Sequence, residues 1–539
     1  VRILFVGGAK TVTGSCYLIE TQTEKLLVDC GMFQGSKELE ELNFAAWPFH
    51  PGEISYVLLT HAHIDHSGLL PKLKRDGFRG QIICTKSTFD LCSIMLPDSG
   101  HIHETEYEWN SRKHSRQRKK PKKEPLYTQA DAFAVLKNFV SVPYHQVVEL
   151  SPTVSFRMMD AGHILGSAII ELWIKENGQT TKLVFSGDIG STGQAIVRDP
   201  ERVEEADYIF VESTYGNRLH PPVAERSEQL LSIIREAQKD NGLVIIPAFA
   251  VGRTQEILFQ LHKLFKKGLI SDIPVYVDSP LAVSATRIVQ SNPDYYDEET
   301  TALFKQGDNP LAFPGLRFIS SQEESQRLNF TKGTAIIISA SGMAEAGRIK
   351  HHLKHQLWKE NNHVVFAGYQ AEGSLGRKLL SGANRVRVLG QNVRVGAKIH
   401  DLSAMSAHAD KEQLLNWLKG FRTTPKQVFV VHGEEESSRE FAHAIELDLG
   451  WKAHVPSRGE TVYLEGDQAP QIDEPKEPET KQTVLSEAEL DAYMQAIEHN
   501  VDGLVQALGK YGLTQDLLLK LSERLIKVND KLEDLSDQL

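Results

Sequence analysis

Cysteine is scarce in this chain: Cys16, Cys30, Cys84 and Cys92 stand among 539 residues, and no two of them form a C-x-x-C pair. That count excludes a disulfide scaffold and a cysteine-built metal knuckle, and it reads as reduced core thiols in a cytoplasmic protein. Long apolar runs are missing too, and none approaches the roughly 20 residues of a membrane span. The opening Val1-Arg2-Ile3-Leu4-Phe5-Val6 reads as a strand entering Gly7-Gly8, not as a signal peptide. Gly8-Ala9-Lys10-Thr11 lacks the full G-x-x-x-x-G-K-[ST] spacing of a phosphate loop.

Basic charge is also in deficit, with a net charge of −11. Its distribution matters more than the sum. Residues 471–539 hold 15 Asp/Glu against 7 Lys/Arg, so the preceding body is close to neutral. Within that body, residues 112–123 pack eight Lys/Arg into twelve positions, which fits either a phosphate-binding patch or a solvated loop.

What the chain does have is histidine in a pattern. Thr60-His61-Ala62-His63-Ile64-Asp65-His66 follows directly on an apolar strand. Alternating residues on a turn after a strand send His61 and His63 to one metal and leave Asp65 and His66 for a second. Imidazole and carboxylate together suit Zn²⁺. Further candidate ligands stand where other apolar runs end: His163, Asp188 and His432. A strand end holds a ligand rigidly while leaving room for an exchangeable water.

These stretches resemble the metallo-β-lactamase superfamily, with Asp29 in its first motif, His61 to His66 in its second, His163 in its third and Asp188 in its fourth. Glu212 in Val211-Glu212-Ser213-Thr214, His408 in Ser406-Ala407-His408-Ala409-Asp410 and His432 in Val431-His432-Gly433 resemble motifs A, B and C of the β-CASP branch. The resemblance runs from about residue 2 to residue 459 and looks most like the ribonucleases related to the endonuclease subunit of the pre-mRNA 3′-end cleavage factor. Neither an N-terminal KH-like extension nor a long disordered tail is read. Members with histidine at motif C generally act on RNA.

The resemblance implies two Zn²⁺ ions, one on His61, His63 and His163, the other on Asp65, His66 and His432, with Asp188 shared. Such a pair lowers the pKa of a water and stabilises charge on phosphate oxygens. It also implies His408 as the acid for the leaving 3′-oxygen, oriented by Glu212, with Asp65 in the catalytic set. Asp29 is implied as a carboxylate orienting a ligand. Products then carry a 5′-phosphate and a 3′-hydroxyl. Arg253, Ser341, Gly342, Arg348 and Tyr369 are implied in substrate binding, although these side chains equally suit helix caps and charge pairs. Internal cleavage and 5′-exonucleolytic cleavage both remain open.

The pattern of elements predicts an α/β protein with a strand-rich domain split by a mostly parallel sheet, plus a C-terminal helical extension, and the resemblance implies that these are an αββα metallo-β-lactamase fold interrupted by a β-CASP domain. Period-two segments at 25–29, 57–60, 154–158 and 183–185 mark the strand-rich part. Short apolar strands at 243–246, 275–277, 335–338 and 364–367 alternate with helical stretches and imply crossover helices. The expected divisions are 1–207 and 393–469 for the outer domain, 208–392 for the insertion, and 470–539 for an acidic linker and helices. The cleft between the domains suits a single strand of RNA.

Ser486 and Glu489 form a capping box, and Leu518, Leu521, Leu525, Val528, Leu532, Leu535 and Leu539 recur at the spacing of a helix-pairing seam. A homodimer or higher homo-oligomer is one reading and a helix lying on its own domain the other. Competing functions are a DNA-processing nuclease of the same branch, an ester or thioester hydrolase of the superfamily, and a metal-free scaffold subunit. All seven ligand positions are filled, which speaks against the last.

Overall fold

The computed structural model describes residues 1–116, 124–221, 225–270, 272–402, 405–464 and 469–474. The basic run lies outside these, apart from the main chain of 112–116 in the helix Lys86–Arg116. The C-terminal capping box and seam lie outside them altogether.

The first strands are β1 (Arg2–Gly7), β2 (Cys16–Glu20), β3 (Lys25–Val28), β4 (Tyr56–Leu58), β5 (Gln81–Cys84) and β6 (Phe139–Ser141). Next come β7 (Val148–Glu149), β8 (Val154–Asp160), β9 (Ala168–Glu176), β10 (Gln179–Phe185) and β11 (Tyr208–Glu212). The middle of the chain supplies β12 (Val244–Pro247), β13 (Val275–Val277), β14 (Leu316–Phe318), β15 (Ile336–Ser339), β16 (His363–Phe366), β17 (Arg385–Val388), β18 (Gln391–Arg394) and β19 (Lys398–Asp401). The last are β20 (Gln427–Val431), β21 (Ala453–His454), β22 (Thr461–Tyr463) and β23 (Gln471–Asp473).

Two sheets form a sandwich. One runs β23-β22-β1-β2-β3-β4-β5-β6 and the other β21-β20-β11-β10-β9-β8-β7. Phe5, Ile19 and Val28 from one face meet Phe156, Phe185, Phe210 and Phe429 from the other, excluding water between the layers. Helices Lys411–Leu418 and Glu435–Leu449 cover the outer face of the second sheet, burying Leu414, Trp417, Phe441 and Ile445. In β8 every second residue is buried, as its alternation predicts, whereas all of β11 is buried because it lies between two parallel neighbours.

A third sheet, β14-β13-β15-β12-β16-β19, is parallel at every pairing. Helices cross over it on both faces, giving separate apolar clusters on its two sides.

Sheet membership moves both expected junctions of the insertion. β11 pairs with β10 and β20 in the sandwich, so residues 208–212 stay with the outer domain. β19 pairs with β16, so residues 398–401 stay with the third sheet. A short apolar strand carries no local mark of the sheet it joins. The expected linker at 470 likewise begins with β23, an edge strand on β22 held by main-chain hydrogen bonds, with all three side chains exposed.

Candidate metal centre

Six strands of the sandwich end at one edge, and each delivers a polar side chain there: β3 leads to Asp29, β4 to His61–His66, β8 to His163, β10 to Asp188, β11 to Glu212 and β20 to His432. Carboxyl ends of parallel strands are where α/β sheets present ligands. Asp29 and His432 turn sharply off their strands, with φ of 59° and 47°. Both turns are pinned, the Asp29 N–H donating to the Leu58 carbonyl at 3.0 Å and the His432 N–H to the Gly8 carbonyl at 2.7 Å. Such backbone strain persists only where surrounding contacts fix it. Gly31 is forced by close approach, since a Cβ there would stand 1.6 Å from the Asp65 carbonyl oxygen.

The imidazoles are held by one nitrogen and present the other. His66 Nδ1 meets Asp29 Oδ2 at 2.7 Å, His61 Nδ1 meets Thr60 Oγ1 at 3.0 Å, and His432 Nδ1 meets Ser15 Oγ at 2.7 Å. Thr60 Oγ1 in turn donates to Asp29 Oδ2 at 2.9 Å, so Asp29 anchors two of the three. The free nitrogens converge on Asp188. Its Oδ1 faces His66 Nε2 at 3.2 Å and His432 Nε2 at 3.4 Å; its Oδ2 faces His61 Nε2 at 3.4 Å and His163 Nε2 at 3.5 Å.

Two donor groups result, His61, His63, His163 and Asp188 in one and Asp65, His66 and His432 in the other, with the ligand atoms of each group within 4.8 Å of one another. His63 Nδ1 lies 3.1 Å from His61 Nε2 and 3.2 Å from His163 Nε2. Nitrogen lone pairs crowd this closely around a cation. His66 Nε2 and Asp188 Oδ1 are buried without a hydrogen bond, which costs free energy unless an ion takes them up. Burial drives His63 and His163 well below the usual histidine range and His432 down to about 4, whereas at His66 burial is outweighed by Asp188 and Asp29, which raise the pKa well above that range. Burial opposes the Asp188 charge, but the surrounding imidazoles outweigh it and hold the carboxyl well below its usual range. The donor set thus fits two divalent ions.

His408 borders these groups, its Nδ1 3.8 Å from Asp188 Oδ2, and with Asp188 and Glu212 it makes a third set of close donor atoms. Its Nδ1 hydrogen-bonds both Glu212 oxygens, at 3.2 and 3.1 Å, which leaves Nε2 for a substrate. Glu212 is itself fixed, accepting the Ile189 N–H at 2.7 Å. Burial pulls the His408 pKa down, but Glu212 and Asp188 outweigh it and lift it to about 9. A cavity of ≈ 670 Å³ opens from Asp65, His163 and His408 toward the third sheet.

Around this cavity the other five residues divide. Ser341 Oγ accepts the Glu345 and Ala346 N–H groups, both at 3.1 Å, closing a turn. The Arg348 guanidinium donates to Asp278 at 2.7 Å and to the Ser320 carbonyl at 2.7 Å. Tyr369 Oη donates to Glu434. Gly342 backs onto the Phe249 ring. Arg253 lines the cavity, and among the described residues its side chain makes no hydrogen bond. Ser15, Thr60 and His220, whose Nε2 lies 3.0 Å from the His408 carbonyl, also shape the site, and no feature of the sequence singled them out for these contacts.

A further group, Glu236, His363 and His400, has donor atoms within 4.8 Å. It is closed internally: Lys398 Nζ donates to Glu236 and Asp240 at 2.7 Å each, and His363 bridges Asp240 and His400 at 3.0 and 2.9 Å.

Family models match three stretches: "Metallo-beta-lactamase superfamily" over residues 9–91, "Beta-Casp domain" over 254–379 and "Zn-dependent metallo-hydrolase RNA specificity domain" over 392–456. Ribonuclease TTHA0252 of Thermus thermophilus is 37% identical over 435 residues, covering 81% of this chain and 94% of that protein. The chain belongs to the β-CASP family of the metallo-β-lactamase superfamily. Two other similar proteins are each called transcription termination factor FttA. The one from Methanocaldococcus jannaschii is 30% identical, covering 86% of this chain and 72% of that protein. The one from Pyrococcus abyssi is 31% identical, covering 86% and 71%. The β-CASP family model begins at residue 254, one residue into the helix Arg253–Lys266, and both sandwich strands β11 and β20 fall outside it. Among the described residues of this β-CASP protein no helix is long and apolar enough to cross a membrane.

Proposed function

We propose that the protein is a zinc-dependent ribonuclease that hydrolyses RNA phosphodiesters in the cytoplasm, leaving 5′-phosphate and 3′-hydroxyl ends. The observation that carries this reading is Asp188, each of whose oxygens faces a different imidazole group beside the separately held His408–Glu212 pair. His61, His63 and His163 would hold one ion, Asp65, His66 and His432 the other, with Asp188 between them. When bound, two such ions supply an acidified water and a Lewis-acid contact to phosphate oxygens.

The chain's own residues do the rest. Asp29, Thr60 and Ser15 fix the tautomers of His66, His61 and His432 so that a lone pair faces inward. His408, held by Glu212 through Nδ1, gives its Nε2 proton to the leaving 3′-oxygen as the bond to phosphorus breaks. The ≈ 670 Å³ cavity has room for a few nucleotides of single strand. An RNA substrate is supported by His432 at the third β-CASP motif, by the RNA-specificity description of the 392–456 match and by the ribonuclease name of the Thermus relative. A DNA-processing enzyme or a thioester hydrolase shares the metal ligands but not all of these features.

The test pairs elemental analysis with substrate choice. The purified protein should carry two zinc ions per chain, cut uniformly labelled RNA, and leave DNA and a thioester largely intact. Its RNA products should be ligatable only through a 5′-phosphate. Preferential cleavage of DNA or thioester, or RNA products ending in a 3′-phosphate, would overturn the reading.

A further inference from the structure

His163 differs from the other ligand histidines in how it is held. Asp29, Thr60 and Ser15 engage the Nδ1 atoms of His66, His61 and His432, whereas His163 Nδ1 is buried with no hydrogen bond among the described residues. Its ring centroid lies 4.5 Å from that of His408. Glu212 fixes the His408 ring, so the placement of the His163 ring against it is left to the main chain.

The main chains of the two residues meet at Gln194. This side chain is buried, and its Nε2 donates to the Ala407 carbonyl at 2.8 Å and to the Gly162 carbonyl at 3.3 Å. These carbonyls belong to the residues directly before His408 and His163. Two carbonyl oxygens demand a donor, which fixes the amide nitrogen as the atom that faces them. One NH₂ group thus spans the peptide that leads to the proton donor and the peptide that leads to a metal ligand.

The segment that carries Gln194 is built to hold it still. Before Gln194, the Gly190 N–H donates to the Ala161 carbonyl at 2.8 Å and the Ser191 N–H to the Ala407 carbonyl at 2.7 Å. Gly190 passes so close that a Cβ there would stand 1.8 Å from the Gly162 carbonyl oxygen. Just after it, the Ala195 N–H donates to Glu256 at 3.1 Å and the Ile196 N–H to Thr300 Oγ1 at 3.2 Å, both acceptors on helices of the inserted domain. Fixed on either side, the segment leaves its inward-pointing amide little freedom. Gln194 does not line the cavity, so it acts on these peptides and not on a substrate.

We infer that Gln194 is a positioning residue for the proton transfer: its amide is a strut that sets His408 at a fixed distance from the ion that His163 would hold. The inference rests on the ribonuclease reading, with His408 as the acid, and adds to it the part that aligns acid and ion.

Gln194→Met tests it, removing both donations at nearly constant volume. The zinc-loaded variant should keep two ions and its KM for RNA while kcat falls about 10–100-fold, the scale of a small misplacement of a reacting group. RNA with sulfur in place of the 3′-oxygen at the cut releases a thiolate that needs no proton, so on that substrate variant and wild type should match. In a His408→Ala background the substitution should cost nothing further, because the group it aligns has gone. Amide hydrogen exchange reads the strut without turnover: it should quicken over 161–164 and 405–410 and stay unchanged in the helix Glu435–Leu449. Gln194→Asn, one methylene shorter but still a donor, should fall between the two, and it carries the same comparisons if the methionine variant does not fold. Equal losses on the oxygen and sulfur substrates, a further loss in the His408→Ala background, lowered zinc content, or unchanged exchange over 161–164 and 405–410 would overturn the strut alone. Wild-type enzyme that cuts neither RNA would overturn the ribonuclease reading and the strut with it.

Discussion

Asp188 and Asp278 are both buried carboxylates set among histidines and hydroxyls, yet they do opposite things. Asp278, in the inserted domain, is satisfied: Arg348 donates at 2.7 Å, Ser325 Oγ at 2.6 Å and His352 Nε2 at 2.6 Å, and His352 Nδ1 is engaged by Asn329 at 3.0 Å. Asp188, on the sandwich edge, is crowded by four imidazoles and still leaves Oδ1 and the facing His66 Nε2 without a hydrogen bond. The first network has no need of a ligand and ties the helices Gln322–Leu328 and Ile349–Gln356 to the end of β13. The second is incomplete until cations enter. The Glu236–His363–His400 group falls with Asp278, because the Lys398 ammonium already supplies its positive charge. Residue types alone do not separate a metal site from a structural network, and a count of unmet hydrogen bonds does.

The sharpest way to break this contrast is Asp188→Asn. It should strip zinc from the chain and take RNA cleavage to background, measured by elemental analysis and labelled RNA. Retention of both ions would mean that Asp188 is as structural as Asp278. Next in size, His408→Ala should keep both ions and lower turnover by about 10²–10⁴-fold, the usual worth of general acid–base catalysis. A less basic leaving group should recover part of that rate, while zinc loss in this variant would show a ligand where an acid was assigned.

On the other side of the comparison, Asp278→Asn should cost stability on the order of 1–3 kcal/mol, since it removes the charged acceptor of hydrogen bonds from Ser325, His352 and the part-exposed Arg348. Zinc content of the folded fraction should not change, and chemical denaturation reads the loss. The pH dependence has a definite sign. Burial raises the Asp278 pKa, but the hydrogen bonds from His352, Ser325 and Arg348 outweigh it, so the folded-state value lies below that of the unfolded chain. Its contribution is therefore whole above about pH 4, the ordinary carboxyl value, and drains away as pH falls through the lower folded value. Asp278→Asn should flatten that acid limb. The smallest effect is expected at Asp29→Asn, which loosens His66 and Thr60 without removing a ligand: roughly a 10–100-fold loss in zinc affinity, read by competition with a chelator. A change below about twofold would make Asp29 a mere turn residue.

Much of the sandwich edge was legible because its chemistry is written compactly. His61, His63, Asp65 and His66 fall within six residues, and Asp188, His163 and His432 each follow an apolar run at a strand end, so period and position alone point to them. Ser15 and Thr60 carry no such mark, since hydroxyls on turns are common and only the three-dimensional placement of His432 and His61 gives them work. At Arg348 the sequence left two readings open, a substrate contact implied by resemblance and a charge pair within the inserted domain, and in the fold it donates to Asp278 and two main-chain carbonyls. The junctions of the insertion were illegible for a related reason. β11 and β19 are ordinary short strands, and whether each joins the sandwich or the parallel sheet depends on partners distant in the chain, β10 and β20 for the first and β16 for the second.

The pairing of β11 with β20 also sets a timetable. Glu212 stands opposite Val431, the residue before His432, across an adjacent parallel strand. More than two hundred residues separate them in the order of synthesis. While a ribosome is still making the insertion, β11 is an unfinished edge with Ile209 and Val211 uncovered, and neither His408 nor His432 exists. A chain released early therefore lacks His432 from its donor set and His408 altogether, and has an exposed strand that quality control can recognise. On the roles proposed for His408 and His432, hydrolytic competence arrives only once the insertion has been completed and the chain has returned to the sandwich.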